Sequence, residues 1–360
     1  MPCQAPQVVE IGNRMKLKVG LVGIGDQWES RHRPALKSLS DRFQVMGVCS
    51  DISIKAHRVA QDFEAIQFDG FRSLIQRNDL DAVLCLSENW GGPLPMLAAC
   101  DYRKAIYSSS ALDMDPSRAS HVKKRVENSG VAFMAEFAKR HTPATIRLKE
   151  LIATRLGQPR LIFCTERLTR QPTLADPLNK SDSKLLVELI DWCNYIIGMP
   201  PAGVQGIRHC FPNRRSGEKE NREESPSSFL NLSLDYGTSA GPNQNPGPPT
   251  ALAQIRLARL LPKAWKDAIG FRRPASLQVT CEKGVAYIDS PTTITWFDDA
   301  GQHTESLEAD RPVGEQLLTL FHRAVTSLVR KTSDLEDAYQ ARIIVDSAED
   351  SFASRQRIEL

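Results

Sequence analysis

The sequence predicts an α/β fold: a doubly wound parallel sheet in its first part, then an α+β domain with a mostly antiparallel open sheet. Three observations carry this expectation. Short apolar runs alternate with helical patterns from Lys16 to Met134, the signature of parallel strands covered by helices on both faces. The first run, Leu17 to Ile24, ends in Gly23-Ile24-Gly25 and leads into a helical stretch. From Thr142 the texture changes: a strand of alternating character, Arg160 to Arg167, and further strand candidates stand beside strongly apolar helical stretches. With 360 residues, two domains that each bury a core are the default.

In order along the chain, Phe43 to Cys49 is the second strand and ends in Ser50-Asp51. A helix over Ile54 to Phe63, a strand over Ile66 to Phe68 and a short helix over Phe71 to Gln76 follow. Asp81 to Leu86 reads as a buried strand closed by Ser87-Glu88-Asn89. Leu94 to Asp101 is a helix, Ala105 to Tyr107 a strand, Arg118 to Ser129 an amphipathic helix and Val131 to Met134 a strand. Pro143 opens a helix running to about Thr154, with Gly157 placed to end it. Arg160 to Arg167 is a strand, Arg170 to Ser183 a polar loop, and Leu185 to Ile197 an apolar helix stopped by Gly198-Met199-Pro200-Pro201. Phe229 to Leu234, Ser276 to Cys281 and Val285 to Ile288 are strands; Glu315 to Lys331 and Leu335 to Ser354 are helices. Asn213 to Ser228 and Gly237 to Pro249 are too rich in Gly, Pro and Ser to pack and read as long loops.

Composition excludes several classes. Apolar content of 41% and charged content of 25% are those of a globular chain. A net charge of +3 with no basic tract interleaved with aromatics argues against a nucleic-acid partner. No apolar run approaches the roughly 20 residues of a membrane span. Residues 1–15 carry no signal-peptide pattern and read as a flexible leader, with Met15 an alternative start. The eight cysteines show no C-x-x-C or metal spacing, which fits reduced thiols and a cytoplasmic location. Cys49, Cys85 and Cys164 lie in strand-like runs, as small hydrophobes do. His57, His121, His303 and His322 have no partner spacing, so no metal is expected.

The glycine turn carries the chemistry. A strand, a tight Gly-x-Gly turn and a helix form the front end of a dinucleotide-binding βαβ unit, in which the backbone approaches a pyrophosphate held at the helix N-terminus. Gly23, Gly25, Asp26 and Gln27 would line it; Trp28 stands where the pattern has its third glycine. Its bulk either pushes the pyrophosphate away or swings out of a loop one residue longer than usual. Arg31 and His32 follow, as phosphate contacts or as a solvated first turn. Asp51 would bind the adenosine ribose and favour NAD; if Ser50 holds that position instead, a 2′-phosphate is tolerated, and a helix cap is the structural alternative. Ser87 and Asn89 fall at a strand end facing the same cleft.

VGIGDQWESRHRPAL, KAIYSSSALDMD, SGVAFMAEFAKRHTPATIRLKELIATRLGQP, LLVELIDWCNYIIGMP and SDLEDAYQARIIVDSAEDSFASRQRIEL, in that order, make the chain resemble the glucose–fructose oxidoreductase / inositol dehydrogenase (Gfo/Idh/MocA) family from Lys16 to Leu360. The resemblance implies a Rossmann NAD(P)-binding domain over 16–138 and an α/β substrate and oligomerisation domain over 139–360. It also implies hydride transfer between NAD or NADP and a sugar, inositol or related polyol. The open sheet face would shape the substrate site or an oligomer interface.

The family's Glu-Lys-Pro turn aligns with Ser109-Ser110-Ala111, so its lysine position is Ser110; its helix histidine aligns with Glu188 and a further histidine with Gly92. A serine hydroxyl cannot replace an ammonium as a charged relay. Two readings follow. In one the site is rebuilt, with Lys184 and Glu188 at i and i+4 as an acid/base pair and Asp191 lining the same face. In the other the chain is a catalytically degenerate relative that binds a nucleotide or sugar or builds an assembly, and the pair is a salt bridge. Lys139 and Arg140, at the domain junction, either reach an anionic substrate or form structural ion pairs; Trp192, Tyr195 and Ile196 read as core.

Overall fold

The computed structural model describes residues 16–87, 91–169, 180–211, 227–237, 250–261, 265–327 and 334–360. These divide into two units, neither continuous in sequence. The first takes residues 16–109, 124–134 and 317–327; the second takes 110–123, 135–316 and 334–360.

In chain order the elements up to residue 135 are β1 (Leu17–Val22), α1 (Arg33–Ser38), β2 (Phe43–Cys49), α2 (Ser53–Asp62), β3 (Ile66–Gln67), α3 (Phe71–Ile75), β4 (Ala82–Cys85), α4 (Leu94–Asp101), β5 (Ala105–Ser108), α5 (Pro116–Ser129) and β6 (Phe133–Ala135). The sheet runs β3-β2-β1-β4-β5-β6, with β1 parallel to both β2 and β4. This is the Rossmann order, and its direction of winding reverses between β1 and β4. The central strands are buried on both faces, which is why they read as unbroken β-branched and aliphatic runs rather than alternating ones.

The second unit continues with α6 (Pro143–Leu151), β7 (Pro159–Thr169), α7 (Lys180–Ile197), β8 (Gly203–Phe211), β9 (Ser227–Tyr236), β10 (Ala251–Leu261), α8 (Lys266–Gly270), β11 (Leu277–Cys281), β12 (Gly284–Ser290), β13 (Thr293–Asp298) and β14 (Gly301–Ser306). Then come α9 (Val313–Thr326), whose residues from Leu317 belong to the first unit, α10 (Asp334–Ser354) and β15 (Ile358–Glu359). The strands form one sheet in the order β14-β13-β12-β11-β7-β10-β9-β8-β15, antiparallel except where β10 pairs with β7 in parallel. One face is buried by α6 on β12 and β13, α7 on β7 and β10, and α10 on β8 and α7. The residues alternate accordingly: Leu230, Leu232, Leu234 and Tyr236 of β9 are buried, and those between them are not.

Several expectations change in detail. α7 begins at Lys180, so residues 180–183 of the expected polar loop are its first turn, with Asp182 at the favourable N-terminal end. Residues 170–179 lie outside the described residues, as do 213–226 and 238–249 of the two expected long loops, while Ser227 and Ser228 of the first are the start of β9. β8, β10, β13 and β14 are strands that the sequence pattern did not suggest. Gly157 does end its helix, at φ +74°, after a wide turn over Ile152–Leu156. Every cysteine among the described residues is a free thiol; burial pushes Cys85 up to about 12 and Cys49 to about 11. Among the described residues no helix is long and apolar enough to cross a membrane.

The first unit depends on a helix from the far end of the chain. Phe321 of α9 is fully buried with its ring edge-on to Tyr107 of β5 at 5.5 Å, and His322 packs on Phe43 of β2. Phe321→Ala is expected to destabilise this unit by about 3–5 kcal/mol, the cost of a buried aromatic truncation. Urea unfolding followed by hydrogen exchange on β1 and β5 checks it.

Candidate functional site

The switch point of the first sheet is built for close backbone approach. Gly23 sits at φ +78°, a conformation that suits glycine, and its N–H donates to the Cys49 carbonyl at 2.7 Å. A Cβ on Gly23 would collide with Ser87 at the end of β4, and one on Gly25 with the Leu86 carbonyl. Both glycines are therefore demanded by the crossing of the β1 and β4 loops, at the switch point where sheets of this order bind a dinucleotide. Asp26 and Gln27 are exposed at the turn, Gln27 accepting from the Ser30 hydroxyl at 3.1 Å. Ser50 and Asp51 follow β2; Ser50 donates to the Asp51 carboxylate at 2.9 Å, and Asp51 is exposed. Ser87 is half-buried, and Asn89 lies outside the described residues.

Trp28 does not fill the cradle. The chain takes a wide turn over Trp28–His32, which leaves Trp28 only 4% exposed, edge-on to Phe63 at 5.9 Å. His32 is buried as well, against Tyr107, so it is not part of a solvated first turn.

In the second unit, Ser110 is half-buried in a turn whose carbonyl accepts from the Asp113 N–H at 3.0 Å. Asp113 in turn accepts from Ser183 at 2.6 Å and from Arg342 of α10 at 3.2 Å. The Ser110 turn is thereby tied to the first turn of α7. Lys184 and Glu188 stand one turn apart on α7, both half-buried.

Charges gather at this end of the helix-covered face. Lys139 donates to Glu166 of β7 at 2.8 Å and lies 4.9 Å over the Trp192 ring; Arg273 reaches the same carboxylate at 3.3 Å. Trp192 is buried, its indole N–H on the Thr145 hydroxyl at 3.0 Å. Lys139 and Glu166 thus enter as a pair. Glu166 had no sequence signal beyond a charge at a position that β-strand alternation turns inward.

Next to Trp192 in sequence, Asp191 is buried and accepts from the Arg140 Nε at 2.6 Å and from its Nη2. Arg140 also reaches Asp337 at 2.9 Å and Asp334 at 4.0 Å, both on α10. It lies over the rings of Phe137 and Tyr195. Burial pushes the Asp191 carboxyl up to about 7 against the pull of Arg140, with Asp337 and Asp334 adding to the rise; burial pushes Asp334 to about 6. Asp191 is thus engaged by Arg140 on both carboxylate oxygens. Among the described residues no group of three or more His, Cys, Asp or Glu side chains is arranged to hold a metal.

Residues 17–137 match the model of the Gfo/Idh/MocA oxidoreductase family, described as having an NAD-binding Rossmann fold. Over those residues the chain carries that family's NAD-binding Rossmann fold. No curated protein matches the sequence. Solved structures match along the length of the chain. Levoglucosan dehydrogenase, in complex with NADH and levoglucosan, shares 16% identity over 96% of this chain and 99% of its own, with a TM-score of 0.74. A candidate myo-inositol dehydrogenase from Sinorhizobium meliloti 1021 shares 17% over 96% and 99%, with a TM-score of 0.71. A candidate NADPH-dependent oxidoreductase from Desulfitobacterium hafniense shares 14% over 96% and 98%, with a TM-score of 0.76. At such identities the likeness is one of fold.

The raised carboxyls make a prediction about pH. Both hold their proton in the folded chain above the pH at which they lose it unfolded, so the stability they contribute is full below about pH 4 and is lost as pH rises through 6 to 7. Melting temperatures recorded between about pH 5 and pH 8 should fall with pH, and the slope should shrink in Asp191→Asn.

Proposed function

We propose that the protein oxidises or reduces a polyol- or sugar-like alcohol by hydride transfer, with NAD as its coenzyme. The observation that supports this most is the glycine crossing of the first unit: both glycines are needed there, and the bulky Trp28 has been taken into the core. Gly23 and Gly25 would let the pyrophosphate approach, and Asp51 would accept from the adenosine ribose hydroxyls, which favours NAD over NADP. When bound, the nicotinamide ring supplies the hydride acceptor or donor. On the second unit, Glu188 takes the hydroxyl proton, beside a lysine ammonium. Partly covered apolar side chains on the helix-free sheet face, among them Leu161, Phe163, Phe229 and Leu252, support assembly of copies through that face.

Titration with NADH and NADPH, followed by thermal shift, tests the coenzyme. NADH at about 100 times its dissociation constant should stabilise the protein by about 2.7 kcal/mol. Asp51→Ala should weaken NADH about tenfold, a loss of about 1.4 kcal/mol, and leave NADPH little changed. No response to either dinucleotide at millimolar concentration would overturn the reading. For the assembly, Phe163→Glu should reduce the mass seen by light scattering to that of a single chain.

A further inference from the structure

Along β7 and β10 the helix-covered face is apolar, through Ile162, Cys164, Ile255 and Leu257, until its last residues, Glu166 and Arg259. Burying such ions costs several kcal/mol each unless they are well paired. Arg259 meets Asp182 at 2.6 Å in the first turn of α7. Glu166 serves two cations, Lys139 and Arg273. Lys139 projects onto Trp192, and Glu188 is one turn before Trp192 on the same side of α7. The order is also fixed from behind: Arg140, the next residue after Lys139, holds Asp191, the residue before Trp192.

We infer that Lys139, seated on Glu166 and the Trp192 ring, supplies the ammonium of the site and acts with Glu188 on the substrate hydroxyl, in place of the serine-substituted position 110 and in preference to Lys184. This rests on the dehydrogenase reading above. In the oxidative direction the substrate O–H bond breaks and its proton goes to the Glu188 carboxylate. A bound oxidised nicotinamide dinucleotide would accept the electron pair of the carbinol C–H bond as hydride. A carbonyl remains, and Lys139 donates a hydrogen bond to its oxygen without giving up a proton. Burial lowers the Lys139 pKa, but Glu166, Cys164 and Glu188 outweigh it and the net direction is up, as a fixed cation requires. The charged and titratable groups around the pair are Glu166 and Cys164 from β7, Lys184, Asp191 and Cys193 from α7, Arg273 before β11, and Arg140 and His141 next in sequence.

The test compares wild type, Lys139→Met, Lys139→Arg and Lys184→Met. Each is assayed for NADH formation from NAD and a panel of polyols and sugars that includes myo-inositol and levoglucosan, between about pH 6 and pH 10. NADH affinity and melting temperature are recorded alongside. Lys139→Met should lose about 100-fold or more in kcat/KM, and the acid limb of its residual pH profile should move upward because Glu188 loses a neighbouring cation. Its NADH affinity should be unchanged and its melting temperature within about 3 °C, since Arg273 still pairs Glu166. Lys139→Arg should restore part of the rate. Turnover by Lys139→Met within about threefold of wild type overturns the inference. So does a larger loss in Lys184→Met, or a fall in melting temperature with the pH profile unmoved. Wild type that binds NADH yet oxidises nothing in the panel overturns the dehydrogenase reading itself, and the inference with it.

Discussion

Arg140 cannot discharge, because a guanidinium keeps its proton at any pH a protein meets. Placed 7% exposed, it has to be surrounded by carboxylates, and three converge on it from two helices. Removing one partner of such a pair costs about 3–5 kcal/mol, because the other charge is left buried. The consequence reaches past stability. The same clamp fixes the peptide that carries Lys139 and the stretch of α7 that carries Glu188 and Trp192. Two candidate catalytic groups, far apart in sequence, are thereby held in one register by a residue that need not touch substrate.

The first unit solves a different problem. A backbone crossing tight enough to exclude a Cβ leaves no room for side chains at Gly23 and Gly25, yet the position of the third glycine of the pattern carries the largest side chain there is. The wide turn over Trp28–His32 resolves the conflict by rotating Trp28 and His32 inward. The indole becomes part of the core instead of an obstruction, and the crossing remains open on the other side.

How much of this could be read in advance follows from the physics of each element. The strands of the first sheet were legible because strands covered on both faces have to be uniformly apolar. α7 was legible because its apolar positions repeat with helical period and Gly198-Met199-Pro200 ends it. β8 and β10 were not: glycines, arginines and a histidine sit among their buried residues, and the pattern is diluted where one sheet face is only partly covered. Trp28 was visible as an anomaly, but its direction depends on Phe63, thirty-five residues away on the far side of α2. In the sequence Lys139 is only a charge at a domain junction. What made it a candidate was Glu166, whose inward direction appears only once the alternation of β7 is fixed by its neighbours.

The discontinuity of the first unit has a bearing on synthesis. Its sheet is specified by residues that emerge early from the ribosome, but Phe321, which closes over β5, is made after nearly the whole second unit. The early sheet therefore waits with part of its apolar surface uncovered while the larger unit forms, a period in which exposed strands are prone to wrong association. Vectorial, domain-by-domain folding is closed to this chain: both units are completed only by segments from its far end.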